Sequence, residues 1–252
     1  ARARRLDQEA DITIVQKDAD LSMASCGYPY YVGGFFDDRQ QLICTPTGVV
    51  RDPGFFMKTK GIRALTGTEA VSIDRTAHTN LASGETTTLP YDRLILATGA
   101  RPKMPPIPGV DLAGVVTLHS IADADALRRI RDEKLVTHAV VVGGGLIGIE
   151  TCEALQLAGI RITVVEMLPQ ILTFLDWQLA KLLEGHVRSK AADVITDVSV
   201  TAFLGSGGKL EAVKLSNGAE LPCELAVIAI GVRPNSDLAK AAGLQIGALG
   251  GV

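Results

Sequence analysis

Apolar residues in this chain come in short bursts, separated by glycine, proline or charged stretches. That is the pattern of a sheet-rich globular protein with helices between strands. Residues 139–142, 161–165 and 225–230 are almost continuously β-branched or aliphatic, which predicts strands buried on both faces. Residues 91–97 read the same way and end in Thr98-Gly99. Residues 11–15 predict another strand, following residues 1–9, which read as the last turns of a helix. In that helix Arg2 and Arg5 share a face and Leu6 lies on the buried side. Helical spacing recurs over 121–132, where Ser120 can cap, and over 176–189, where Trp177, Leu179, Leu182 and Leu183 are the apolar positions. Two antiparallel meanders are expected. One covers 68–74, 78–82 and 85–89 with a turn at 82–84. The other covers 198–204, 209–215 and 220–221 with Asn217-Gly218 as a turn. Pro102, Pro105, Pro106 and Pro108 mark a linker.

The chain is organised around residues 140–150. A β-branched run breaks into Gly143-Gly144-Gly145 and then becomes helical. Gly143, Gly145 and Gly148 fit G-x-G-x-x-G in its strand–turn–helix setting. The first glycine allows the tight turn, the second lets backbone approach a pyrophosphate, and the third lets the helix pack against the strand. The helix start adds free N–H groups and a positive dipole end. The following strand ends at Glu166, placed to accept hydrogen bonds from ribose hydroxyls. A basic residue would be expected there for a 2′-phosphate, so Glu166 points to NAD(H).

Composition narrows the function classes. A length of 252 residues allows one large or two ordinary domains, and 47% hydrophobic content can fill their cores. Mean hydropathy is +0.24, yet no apolar run approaches the roughly 18 residues of a membrane span, so no membrane partner is expected. The net charge of −3 argues against a nucleic-acid binder. The cysteines at 26, 44, 152 and 223 contain no C-x-x-C pair, so no metal site is expected. No signal peptide is visible, and the expected location is a reducing cytoplasm.

Cys26 is the second chemically loaded position. Cys26-Gly27-Tyr28-Pro29 is expected to open a helix, with Pro29 tolerated in its first turn and Gly33-Gly34 closing it. A thiolate at a helix start is stabilised by the dipole and by free N–H groups. It can form a mixed disulfide, a sulfenic acid or a persulfide. No second cysteine lies within a turn or two. From spacing alone, an inert buried thiol is the commoner outcome, and Cys152 and Cys223 are read that way.

The segment 22–34, SMASCGYPYYVGG, resembles the single-cysteine stretch of the pyridine nucleotide–disulfide oxidoreductases. Its branch is that of coenzyme A-disulfide reductase, NADH oxidase and peroxidase, and persulfide reductase. The resemblance also rests on Leu94 to Ala100, the 143–150 fingerprint, Val164-Val165-Glu166, and Ala229 to Asn235, in the family's order. It implies an α/β fold: an FAD-binding three-layer domain, truncated here, with an inserted Rossmann-like NAD-binding domain. The implied boundaries are 1–109 with 233–252 for the partial FAD domain and 110–232 for the NAD(P)H domain. The cofactors implied are FAD and NAD(H). Thr98 and Gly99 match the segment that packs on FAD, and Ala70 matches a backbone contact to adenine. Ile147 matches the residue beside the nicotinamide, Glu150 the carboxylate near its carboxamide, and Gly231 the returning strand on that side. Arg2 and Arg5 match arginines holding coenzyme A phosphates, and Ser22 and Ser25 match positions lining that pocket.

This sequence departs from the family in four respects. The first G-x-G-x-x-G, the later Gly-Asp motif and the C-terminal domain that makes the family's homodimer are missing. Gln16 stands where the family usually has Glu on the FAD ribose. The chain is therefore expected to be a fragment that, alone, binds FAD poorly and does not turn over. The parent is expected to use NADH and FAD to reduce a small disulfide or persulfide, such as coenzyme A disulfide, through Cys26. The alternatives are an NADH oxidase or peroxidase working through a Cys26 sulfenic acid, and a non-catalytic nucleotide-binding or redox-sensing module.

Overall fold

The computed structural model describes residues 2–75, 79–82 and 87–252. Residues 83–84 of the turn expected at 82–84 lie outside them, as do residue 78 and residues 85–86 of the strands expected beside it. The chain divides into two compact units, residues 1–24, 38–100 and 234–252, and residues 25–37 and 101–233. In chain order the first elements are α1 (Arg2–Leu6), β1 (Ile12–Val15), α2 (Tyr28–Gly33), α3 (Pro53–Lys60) and β2 (Ile62–Leu65). The meander strands β3 (Ala70–Asp74), β4 (Thr79–Ala82) and β5 (Thr87–Pro90) follow, then β6 (Ala100–Pro102). Next come β7 (Val115–Val116), α4 (Ile121–Asp132), β8 (His138–Val142), α5 (Leu146–Gln156) and β9 (Arg161–Val165). The rest are α6 (Trp177–Ser189), β10 (Ala192–Ile195), β11 (Val200–Ser206), β12 (Lys209–Leu215), β13 (Glu220–Pro222), β14 (Leu225–Ile228), β15 (Val232–Pro234) and α7 (Asp237–Ala241).

In the first unit β1 and β2 pair in parallel, Ile12 beside Ile62 through Val15 beside Leu65. β3, β4 and β5 form the antiparallel meander. Helix α3 and strand β2 carry clear signals that the sequence reading passed over. Asp52 caps α3 by accepting the Phe55 N–H at 2.7 Å, Pro53 opens it, and Gly61 closes it at φ +57°. Arg4 ties α1 to that closing turn, donating to the carbonyls of Lys60 and Gly61 at 3.1 and 2.6 Å. Arg4 therefore turns inward and Leu6, expected on the buried side, is 78% exposed.

The strand expected over 91–97 does not form. Among the described residues no strand pairs with it, and Ile95 is 80% exposed. An apolar run makes a strand only when neighbours take up its backbone groups. Here none is supplied among the described residues.

The second unit is built on a parallel sheet in the order β10-β9-β8-β14-β7. Helix α5 packs on β8 and β9, and α6 packs on β10. Val140, Val142, Val165, Ala226 and Ile228 meet Phe203, Leu210, Val213 and Leu215 from the β11-β12-β13 meander. Alternate residues Ala139 and Val141 are fully buried too, so β8 is covered on both faces, as its unbroken apolar run requires. Helix α6 forms, yet Leu179 and Leu182 are exposed while Glu184 is buried. Burial opposes ionisation of Glu184, but Lys181 at 2.7 Å and Arg188 at 2.9 Å outweigh it and hold its carboxyl below the ordinary value.

Candidate functional site

The glycine turn sits where β8 ends and α5 begins, and its three glycines answer to three different constraints. Gly143 has φ +108°, and a Cβ there would lie 2.5 Å from the Ala229 carbonyl oxygen. A Cβ on Gly148 would lie 2.0 Å from the Gly143 carbonyl oxygen, so the helix reaches the strand only without it. Gly145 is different: its φ is −77°, and nothing lies within 4 Å of where its Cβ would be. Neither backbone nor packing requires glycine there. No side chain caps α5, whose first N–H groups open beside that space. A cradle that a Cβ would fill, beside unclaimed N–H donors, fits a pyrophosphate.

Glu166 closes the turn from the side. Its carboxylate accepts the Gly144 N–H at 2.6 Å and the Leu168 N–H at 2.8 Å. The Gly144 carbonyl accepts the Leu172 N–H at 2.8 Å. Leu172 is held at φ +47°, which a leucine rarely adopts, with its side chain buried. Both polar groups of Gly144 are thus consumed by the loop after β9. A carboxylate has about four lone-pair sites, so two remain for ligand hydroxyls. Sequence spacing located Glu166 but gave no sign of its grip on Gly144.

Ile147 and Gly231 lie at the same end of the sheet. The Ala229 N–H donates to the Val142 carbonyl at 2.8 Å, which brings the end of β14 beside the glycine turn. Gly231 has φ +97° and open space around its Cβ position. Ile147 is 39% exposed and Glu150 is exposed on α5. This is the carboxyl end of the parallel strands, where open α/β sheets bind ligands.

Cys26 lies in a 3-10 turn, Ser25–Gly27, so α2 starts two residues after the thiol rather than at it. Pro29 is in the first turn and Gly34 closes the helix at φ +80°. Cys26 and Ser25 are exposed. Tyr28, Tyr31 and Val32 are buried as α2 packs on α4 and α5. The other thiols are placed differently. Burial, with Glu153 adding to it, pushes Cys152 up to about 11. Burial, with Glu224 adding to it, pushes Cys223 up to about 12. The Cys44 Sγ, half-buried, lies 3.8 Å from the Gln41 carbonyl oxygen.

The remaining sequence-predicted residues fall in the first unit. Gln16 follows directly after β1 and lies 3.4 Å from Asp18 through its side-chain amide. Ala70 opens β3. The Thr98 hydroxyl donates to the Asn235 carbonyl at 2.5 Å, and the Asn235 amide returns a bond to the Thr98 carbonyl at 3.0 Å. Gly99 has φ +69° and an open Cβ position. Arg2 and Arg5 are exposed, while Ser22 lies 3.4 Å from Arg51. Among the described residues of this unit, no strand runs through a glycine-rich turn into a helix. The fit to FAD is therefore partial, and that to NAD(H) in the second unit is whole. No group of three or more metal-ligating side chains occurs among the described residues.

The parallel sheet, the glycine turn at its carboxyl edge and the acid after the next strand define a Rossmann-type α/β protein. The chain belongs to the pyridine nucleotide-disulphide oxidoreductase family, whose model matches residues 1–252. The cofactors of that family are FAD and NAD(P)H. An NADH oxidase of Methanocaldococcus jannaschii is 31% identical over 248 residues, covering 97% of this chain and 54% of that protein. A NAD(P)H coenzyme A polysulfide/persulfide reductase of Pyrococcus horikoshii is 30% identical over 253 residues, covering 100% and 55%. The structure of an NAD-dependent persulfide reductase from A. fulgidus aligns with a TM-score of 0.95 at 41% identity, covering 99% of this chain and 46% of that one. The chain spans about half the length of the curated relatives it matches.

Proposed function

We propose that the parent protein is an NADH-dependent flavoprotein that reduces a small disulfide or persulfide through Cys26. Residues 110–232 are read as its NAD(P)H domain, and residues 1–109 with 233–252 as part of its FAD domain. The observation that carries the nucleotide reading is the open Cβ position of Gly145 beside an uncapped helix start. The similarity to persulfide reductases supports the sulfur chemistry.

In this reading the first N–H groups of α5 bind the pyrophosphate, and Glu166 accepts ribose hydroxyls with its remaining lone pairs. NADH would supply two electrons as hydride, and FAD held by the parent protein would supply the two-electron relay chemistry toward sulfur. The Cys26 thiolate attacks a substrate disulfide, forming a mixed disulfide and expelling one substrate thiolate. Two electrons and one proton then cleave that bond, restoring the Cys26 thiolate and releasing the second thiol. The balance is one NADH, one proton and one disulfide giving NAD⁺ and two thiols. Arg2, Arg5, Ser22 and Ser25 are read as substrate-side residues, and the phosphate-bearing tail of a coenzyme A disulfide or persulfide is the class they suit. The parent is read as a homodimer.

Steady-state NADH oxidation by the intact protein, with coenzyme A disulfide, coenzyme A persulfide, oxygen and peroxide compared, tests this. A kcat/KM at least about tenfold higher for the sulfur acceptors is expected. Preference for oxygen or peroxide would move the assignment to the oxidase reading that the NADH oxidase relatives favour.

A further inference from the structure

Helix α2, which follows Cys26, has six residues, too few to be stable alone. Its place is set by what it docks against. Tyr28, Tyr31 and Val32 are buried where α2 packs on α4 and α5 within the second unit, but apolar burial has no direction and does not fix register. Directional bonds come from α4. The Arg128 guanidinium, 13% exposed, donates to the carbonyls of Tyr31 at 2.8 Å and Phe36 at 3.1 Å. It also pairs with the Asp37 carboxylate and with Asp132 at 2.8 Å, and it lies 5.3 Å from the centre of the Tyr31 ring. The Tyr31 carbonyl, at the C-terminal end of α2, also accepts the N–H of the closing residue Gly34 at 3.2 Å. A cation from another helix caps it.

Arg131, one turn along α4, covers the closing residue of the same helix. A Cβ on Gly34 would lie 2.3 Å from its guanidinium. On the other side a Cβ on Gly33 would lie 3.3 Å from the Ala154 Cα of α5. The two glycines that end α2 are thus gripped between α4 and the helix that begins at the glycine turn.

We propose that Arg128, seconded by Arg131, is a positioning residue for Cys26: it fixes the register of the cysteine-bearing segment on the nucleotide-binding unit. The inference rests on Cys26 being the redox thiol. Arg128 engages four acceptors through one planar fork, and a lysine ammonium cannot reproduce that set.

The test uses the intact protein with Arg128→Ala and Arg128→Lys. Three quantities are measured: kcat with the sulfur acceptor, KM for NADH, and the alkylation rate of native Cys26 by iodoacetamide. Both variants should lower kcat about tenfold or more and change the alkylation rate several-fold, with KM for NADH within about twofold of wild type. Arg128→Lys keeps the charge and the stem, so it keeps the test informative if Arg128→Ala does not fold. Wild-type kcat and alkylation in Arg128→Lys would overturn the proposal, because charge alone would then suffice. If Cys26→Ser retained turnover, the function reading would fall, while the alkylation rate would still decide the positioning claim.

Discussion

At the scale of single residues, three glycines of one motif divide into two that the fold needs and one that it does not. Gly143 and Gly148 are pressed against backbone oxygens, and Gly145 faces open space. Gly148→Ala should therefore cost about 1–3 kcal/mol of stability, seen as a lower melting temperature. Gly145→Ala should cost less than about 1 kcal/mol, the difference between Gly and Ala at a helix N-cap. Its effect should instead appear in an NADH titration, as a Kd raised about tenfold or more, equivalent to about 1.4 kcal/mol. Equal NADH affinity in Gly145→Ala would remove the pyrophosphate from that space. The residue types and spacing of this motif were legible in the sequence. The grip of Glu166 on Gly144 was not, because it depends on a loop folding back through a left-handed leucine.

Elements were legible where their own signals sufficed. Helix α4 forms over Ile121–Asp132 as expected, with the Ser120 hydroxyl accepting the Asp123 N–H at 3.1 Å and the Asp123 carboxylate returning to the Ser120 N–H at 3.1 Å. Strands β9 and β12 also fall at their expected bounds. Ser120→Ala should cost about 1 kcal/mol and lower the melting temperature by a few degrees. An unchanged melting temperature would show that packing, not the cap, holds the start of α4. Elements failed where a signal had to be completed by distant chain. Residues 91–97 have strand composition but no neighbouring strand among the described residues. On α6, Leu179 and Leu182 are exposed because the helix turns Ala180, Glu184 and Val187 inward, a choice that only the sheet beneath decides.

At the scale of the whole molecule, the second unit is a complete layered core and the first carries a two-stranded parallel sheet beside its meander. Stability should respond to alkali through the core thiols. In the unfolded chain they ionise near their ordinary value of 9.0, while folded Cys152 and Cys223 hold their protons to about 11 and about 12. Between those limits the unfolded state binds fewer protons, so the contribution is whole below about pH 9 and declines as pH rises through the window. Melting temperature measured across that range should fall, and Cys223→Ala should flatten part of the fall. In the proposed reaction, electrons from NADH leave through Cys26. The direct test is anaerobic mixing of NADH with the intact Cys26→Ser flavoprotein, followed by a disulfide acceptor. NADH should still bleach the flavin absorbance while turnover of the disulfide is lost. Disulfide reduction at the wild-type rate in that variant would contradict it.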